Sequence, residues 1–219
     1  VFYETLLHHF LAPFASILQE EKHKKVGLAD PKGPRFLCLQ GPSHNGKTTI
    51  TNILNKWLTG ENYCNANAAS LKTAGIKSLV SHGINSNTCF PIILDDLKSG
   101  IINRKSSPVE SVFKSHWEQN WSPGKVMPQI IITTNEGSLP EWAKSRFLYV
   151  RFNVRFHTTA KNQLSIHKTL SEDNEIFTYF STVAIRKIKN MDHQIDDLFI
   201  ARESFKKLYE IAGRPLPEY

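Results

Sequence analysis

The stretch Gly41-Pro42-Ser43-His44-Asn45-Gly46-Lys47-Thr48 matches G-x-x-x-x-G-K-[ST] at every fixed position. Such a loop works only between a strand and a helix, and both neighbours have the right character. Arg35-Phe36-Leu37-Cys38-Leu39-Gln40 reads as a short buried strand, and residues 48–58 read as a helix closed by Gly60. Strand, loop and helix then aim successive backbone N–H groups at one point, which suits a polyphosphate. Gly41, Pro42, Ser43, His44, Asn45, Gly46, Lys47, Thr48 and Thr49 are the expected nucleotide-binding residues. Lys47 is expected to reach the β- and γ-phosphates of ATP, and the Thr48 hydroxyl to sit on Mg²⁺.

Two further stretches end apolar strands on polar groups. In Phe90-Pro91-Ile92-Ile93-Leu94-Asp95-Asp96, a parallel strand would deliver both carboxylates beside the phosphates. Asp95 would then hold the metal, mostly through water, and Asp96 would orient or deprotonate the attacking water. The plainer reading is a strand running into a solvated turn. Gln129-Ile130-Ile131-Ile132-Thr133-Thr134-Asn135 ends on an amide that can bond the γ-phosphate or the water, or can simply begin a turn. A short helical stretch follows at residues 139–147 and carries Arg146.

The 219 residues allow one large domain, or a core with a small appendage. No apolar run approaches the roughly 20 residues of a membrane span, and residues 1–20 lack the features of a signal peptide. Opening on Val1 rather than Met, the chain is expected to be a piece of something longer. Cys38, Cys64 and Cys89 are odd in number and widely spaced, which suggests neither a disulfide framework nor a zinc site. A reducing setting inside the cell follows, cytoplasmic, or nuclear in a host if the chain is viral. Net charge is +7, and residues 35–150 hold 12 Lys or Arg against 7 Asp or Glu, or +5 of it. A basic nucleotide-binding core is compatible with nucleic acid as a second ligand.

Elsewhere, residues 1–21 read as a helix with Phe2, Leu6, Leu7, Phe10, Phe14, Ile17 and Leu18 on one side and Pro13 as a kink. Residues 20–34 read as a connector, 71–80 as a short helix, 81–88 as a turn and 108–121 as a helix with an aromatic core stripe. Alternation over residues 148–156 predicts a long half-buried strand with Arg151 and Arg155 on its polar face. Helices are expected from Thr158 onward, one capped by Asp173 or Asn174 and a last one over 198–212 stopped by Gly213. The division this implies is an N-terminal helical segment and connector (1–34), an ATPase core (35–157) and a C-terminal helical region (158–219).

The order P-loop, Asp95-Asp96, Thr133-Thr134-Asn135 and Ser145-Arg146-Phe147 resembles the AAA+ ATPase plan. Within it the chain is similar to superfamily-3 helicases, such as the replication helicases of papillomaviruses and polyomaviruses and poxvirus-type primase-helicases. The likeness runs over residues 36–156, and residues 174–219 more loosely resemble the helices that follow the core in such enzymes. It implies a three-layer α/β sandwich with a mainly parallel central sheet, flanked here by N- and C-terminal helices. It also implies ATP hydrolysis between subunits and ring assembly as a homo-oligomer, such as a hexamer. By the same resemblance Asn135 is the sensor-1 residue, and Arg146 is the arginine finger acting on a neighbour's ATP. For a sensor-2 arginine, Arg186, Arg202 and Arg214 all stay open. Viral relatives grip single-stranded DNA with a basic hairpin between the second and third motifs. Here only residues 122–127 offer a loop, with Lys125 as its cation and His116, Trp117 and Trp121 as candidate stacking groups.

These readings favour a Mg²⁺-dependent ATPase of a motor acting on DNA or RNA, with Lys47, Asp96, Asn135 and Arg146 as catalytic residues. An AAA+ motor that remodels proteins is the alternative, although no clear aromatic-hydrophobic pore loop stands out. A small-molecule kinase usually needs an arginine-rich lid after the P-loop helix, and residues 59–90 contain no arginine. A non-hydrolysing switch stays open as well, since Asp96 stands where Glu is more usual.

Overall fold

Strands β1 (Phe36–Gln40), β3 (Ile92–Asp95), β4 (Ile130–Thr134) and β5 (Phe147–Arg151) are nearly continuous runs of apolar side chains. That composition fits a parallel sheet covered on both faces. A computed structural model describes residues 1–26, 35–61, 66–67, 73–102, 108–118, 124–135, 137, 139–153, 159–190 and 197–217. With the short β2 (Ala66–Asn67), the strands form one sheet in the order β2-β3-β4-β1-β5, every pairing parallel. The wound α/β sandwich implied by the resemblance is therefore present. Because all strands point the same way, Gln40, Asp95, Thr134 and Arg151 come out along one edge of the sheet.

One face carries Leu37, Leu39, Ile93, Ile131 and Val150. It is covered by α1 (Phe2–Leu11), a 3₁₀ turn (Ala12–Phe14), α2 (Ala15–Val26), α3 (Lys47–Thr59), α9 (Ile176–Lys189) and α10 (Asp197–Ile211). The N-terminal helices share one core with the C-terminal ones: Phe10 meets Phe177, Phe180 and Phe205 with ring centroids 5.7, 5.3 and 5.2 Å apart. Such aromatic pairs contribute about 0.5–1.5 kcal/mol each beyond the area they bury. The opposite face carries Phe36, Cys38, Leu94, Ile130, Ile132 and Phe147. It is covered by α4 (Thr73–Asn85), α5 (Ser99–Ile102), α6 (Pro108–Glu118) and α7 (Glu141–Lys144). Burial pushes the Cys38 thiol up to about 12, so it behaves as a small core hydrophobe. Helix α8 (Ala160–Ser171) buries none of its side chains and is capped by Thr159, whose hydroxyl accepts from the Asn162 N–H.

Several boundaries differ from the sequence reading. Pro13 does interrupt the first helix, as a 3₁₀ turn, but α2 then runs on to Val26 through the polar stretch read as connector. Phe2 and Ile17 are 49% and 40% exposed, while His8 and His9 are buried in their place. Helix α4 continues through residues 81–85, read as a turn, because Gly83 lets it lie against β3 where a Cβ would crowd Ile92. Strand β5 stops at Arg151, since its partner β1 ends at Gln40 and the next residue, Phe152, makes one last bond to the Gln40 carbonyl. Arg155 lies outside the described residues. Neither Asp173 nor Asn174 is the N-cap of α9, which is Glu175 without a side-chain cap bond; Asn174 just before it accepts from the Ile176 N–H, and α10 ends before Gly213 at φ 61°.

His9 faces Asn55 on α3, and burial holds its pKa down at about 3. His8, bonded to the Arg35 carbonyl at 2.8 Å, is lowered by burial too. Both rings fold in neutral, whereas in the unfolded chain they titrate near 6.5. Stability is therefore complete above about pH 6.5 and declines as pH falls from there toward 3, where the unfolded state binds the extra proton. His9 alone accounts for about 2 kcal/mol lost between pH 7.5 and pH 5. Urea midpoints at the two pH values should show this drop, and His9→Leu should flatten it. An equal drop in that variant would assign the loss elsewhere.

Candidate nucleotide site

Everything the first three motifs bring forward meets at the strand-end edge. After Gln40 the chain turns at Gly41, whose N–H bonds the Thr134 carbonyl at 3.1 Å. A Cβ at Gly41 would collide with the Phe152 carbonyl oxygen, so only glycine fits. His44 and Gly46 take left-handed backbone angles, φ 65° and 82°, and bend the loop over the start of α3. Pro42, Ser43, His44 and Thr48 are exposed along it, Thr49 is half-buried, and Asn45 and Lys47 turn inward.

Lys47 donates to the carbonyls of Gly41 and Pro42 and to Asn135 Oδ1, at 2.7, 2.8 and 2.8 Å. An ammonium has three protons, and three neutral oxygens take them. Burial lowers its pKa from the ordinary 10.5, only partly offset by the nearby Asp96 and Asp95. Among the described residues this desolvated cation has no direct carboxylate partner, which is the state that a phosphate anion relieves.

Asn135 bridges the site. Its Oδ1 accepts from Lys47, and its Nδ2 donates to Asp96 Oδ1 at 2.6 Å. A cation on one side and a carboxylate on the other fix which way the amide faces. Asp96 sits at φ 56°, a left-handed angle that Asp tolerates better than most residues. It is held there by its N–H, which donates to Thr133 Oγ1 at 2.8 Å.

Thr133, to which the sequence assigns no role of its own, joins this cluster. Its hydroxyl donates to Asp95 Oδ1 at 2.7 Å while accepting from Asp96, and its carbonyl takes the Leu97 N–H at 2.8 Å. The register pairs Leu94 with Ile132, so Asp95 falls beside Thr133. Aligning the two strand motifs side by side would have revealed it.

Across from Thr133, Thr48 Oγ1 lies 3.0 and 2.9 Å from the two Asp95 oxygens. A hydroxyl and a carboxylate are hard oxygen donors, which fits Mg²⁺. Among the described residues no group of three or more His, Cys, Asp or Glu could hold a metal. A Mg²⁺ at Thr48 and Asp95 would therefore complete its shell with phosphate oxygens and water, as this ion prefers.

Arg146 is not part of this cluster. It stands just before β5, and its carbonyl accepts the Phe36 N–H at the start of β1. The P-loop leaves the far end of β1, five residues on, which is roughly 16 Å away. Its guanidinium meanwhile donates to the Trp142 carbonyl at 2.7 Å and Ser145 Oγ at 3.3 Å. Lys125 lies exposed in the turn opened by Gly124, before β4 and so at that same far end. The stacking groups proposed around it are core residues instead. His116 is 1% exposed, stacks on Phe36 and bonds the Pro128 carbonyl, while Trp117 is 5% exposed and meets Phe36 edge-on. Trp121 lies outside the described residues.

A parallel sheet with β1 between β4 and β5, and a glycine-bounded lysine loop leading from β1 into a helix, defines a P-loop NTPase. The chain belongs to the Aq_aa27 P-loop NTPase domain family, whose model matches residues 1–138, more than half of its 219 residues. No curated protein matches it at a significant level. Among solved structures it is similar to the active helicase Cch of SCCmec type IV, at 18% identity and a TM-score of 0.52, over 96% of this chain and 44% of that one. It is also similar to JCV helicase (16% identity, 99% of this chain and 66% of that one, TM-score 0.45). The FIGL-1 AAA domain in complex with ADP is a further resemblance (16%, 98% and 82%, TM-score 0.45). At such identities the Cch match shows a shared fold, and this chain spans less than half of that helicase. Among the described residues no helix is long and apolar enough to cross a membrane.

Proposed function

We propose that this chain is the Mg²⁺-dependent ATPase unit of a homo-oligomeric motor acting on DNA or RNA. The observation that carries the reading is the continuous run of hydrogen bonds Lys47–Asn135–Asp96–Thr133–Asp95–Thr48 at one edge of the sheet. Lys47 and the loop amides take the β- and γ-phosphates, the lysine exchanging its neutral carbonyl partners for anionic oxygens. Thr48 and Asp95 hold Mg²⁺, which when bound neutralises charge between the phosphates. Asn135 moves its carbonyl oxygen from Lys47 toward the attacking water. Asp96, already oriented by Asn135 and Thr133, accepts that water's proton, since a carboxylate has lone pairs beyond the one Asn135 uses. Arg146, at the far end of the sheet from its own P-loop, is offered to the nucleotide of an adjacent copy.

Nucleic acid as the target is supported by the basic balance of residues 35–150 and by the fold shared with the Cch helicase. Lys125, exposed on the Arg146 end, is the surface cation proposed for contact with it. The test is steady-state phosphate release from ATP with and without single-stranded DNA. Stimulation by DNA that falls with added salt, and is reduced in Lys125→Ala, is the expected result. Turnover indifferent to DNA and to RNA would favour an AAA+ unit that remodels proteins.

A further inference from the structure

Asn45 occupies a variable position of the P-loop motif, yet its side chain does not face the phosphates. It is 4% exposed, and its Nδ2 donates to the Phe152 carbonyl at 2.7 Å, across 107 residues of chain. The partner is a carbonyl, so the amide nitrogen must be the atom that faces it. That carbonyl is the one that leaves no room for a Cβ at Gly41, so a single oxygen just past β5 abuts both ends of the loop's bend. Phe152 is itself fixed, since its N–H donates to the Gln40 carbonyl at 2.6 Å and its ring is buried in the core. Between Gly41 and Asn45 lie Pro42, Ser43 and His44, all exposed and with His44 left-handed. An exposed three-residue arch with an unfavourable backbone angle depends on its end points to keep its N–H groups convergent.

We propose that Asn45 is a positioning residue for nucleotide binding, its buried amide pinning the P-loop arch to the end of β5 through the Phe152 carbonyl. The inference rests on the reading that this loop holds a polyphosphate. In this role the Asn45 side chain acts through the shape of the loop, while the loop's backbone amides meet the phosphates.

Asn45→Leu keeps the approximate size of the side chain, removes the donor to the Phe152 carbonyl and brings no charge near the loop. Affinity for ADP with Mg²⁺ is measured by calorimetry for the wild-type chain and the variant, with thermal unfolding of the same samples to show that both are folded at the temperature of the titration. The expected result is about tenfold weaker binding by a folded variant, of the order found on losing one buried hydrogen bond. Binding within threefold of wild type overturns the pin. If Asn45→Leu does not fold, Asn45→Ala decides: about tenfold weaker binding supports the pin, and wild-type affinity overturns it. Absence of ADP binding by the wild-type chain overturns the nucleotide-site reading and this inference together.

Discussion

Lys47→Ala should abolish ATP turnover and weaken binding of ATP with Mg²⁺ by about 10²- to 10³-fold, the range for truncating one partner of a buried charge pair. The fold itself should hardly respond. In the free protein the ammonium is desolvated, its pKa is lowered, and its three bonds go to neutral oxygens. A base whose folded pKa is depressed costs stability below its unfolded pKa, so removing it relieves a strain while three acceptors lose a donor. The two effects oppose, and a melting temperature within a few degrees of wild type is expected. Calorimetric titration and thermal unfolding on one sample check both halves. A variant that binds ATP normally would place the nucleotide somewhere other than this loop.

Arg146→Ala should leave ATP affinity within a few-fold of wild type and lower turnover by about 10³-fold or more, the range for an arginine finger. Arg146 lies at the start of β5 while the P-loop leaves the end of β1, so it cannot serve the P-loop of its own chain. Mixing the Arg146→Ala and Lys47→Ala proteins should restore part of the activity. An intact Arg146 from the second protein then meets an intact P-loop of the first. A mixture as inactive as its parts would show that Arg146 does not act across an interface. The contacts to the Trp142 carbonyl and Ser145 are also lost in this variant, at a cost of about 1 kcal/mol. Arg146→Lys keeps a charge but not the planar fork, and should recover little turnover.

Much of the nucleotide site was legible because its residues sit at strand ends, where type and spacing are tied to chemistry. Gly41, Lys47, Thr48, Asp95, Asp96 and Asn135 follow from three short stretches, and the parallel sheet brings them together without any further information. Thr133 was hidden by its ordinariness: a threonine in a β-strand suits the pleat and signals nothing until the register sets it beside Asp95. Asn45 was named among the loop residues, but its inward bond was hidden by distance along the chain, since the carbonyl it meets belongs to Phe152, 107 residues on. Helix α4 was misread as ending early because Gly83 counts against a helix on propensity, whereas its packing on Ile92 favours it. His8 and His9 are buried in α1, while Phe2 at its start and Ile17 in α2 are exposed, an exchange that apolar periodicity alone does not reveal.

The most direct measurement is ATP turnover per chain as a function of protein concentration. If the site is completed by Arg146 from a second copy, turnover per chain should rise steeply through the concentration at which the chains assemble and then level off. Constant turnover per chain across that range, with Arg146→Ala as active as wild type, would contradict a shared site and point to a P-loop enzyme complete in one copy.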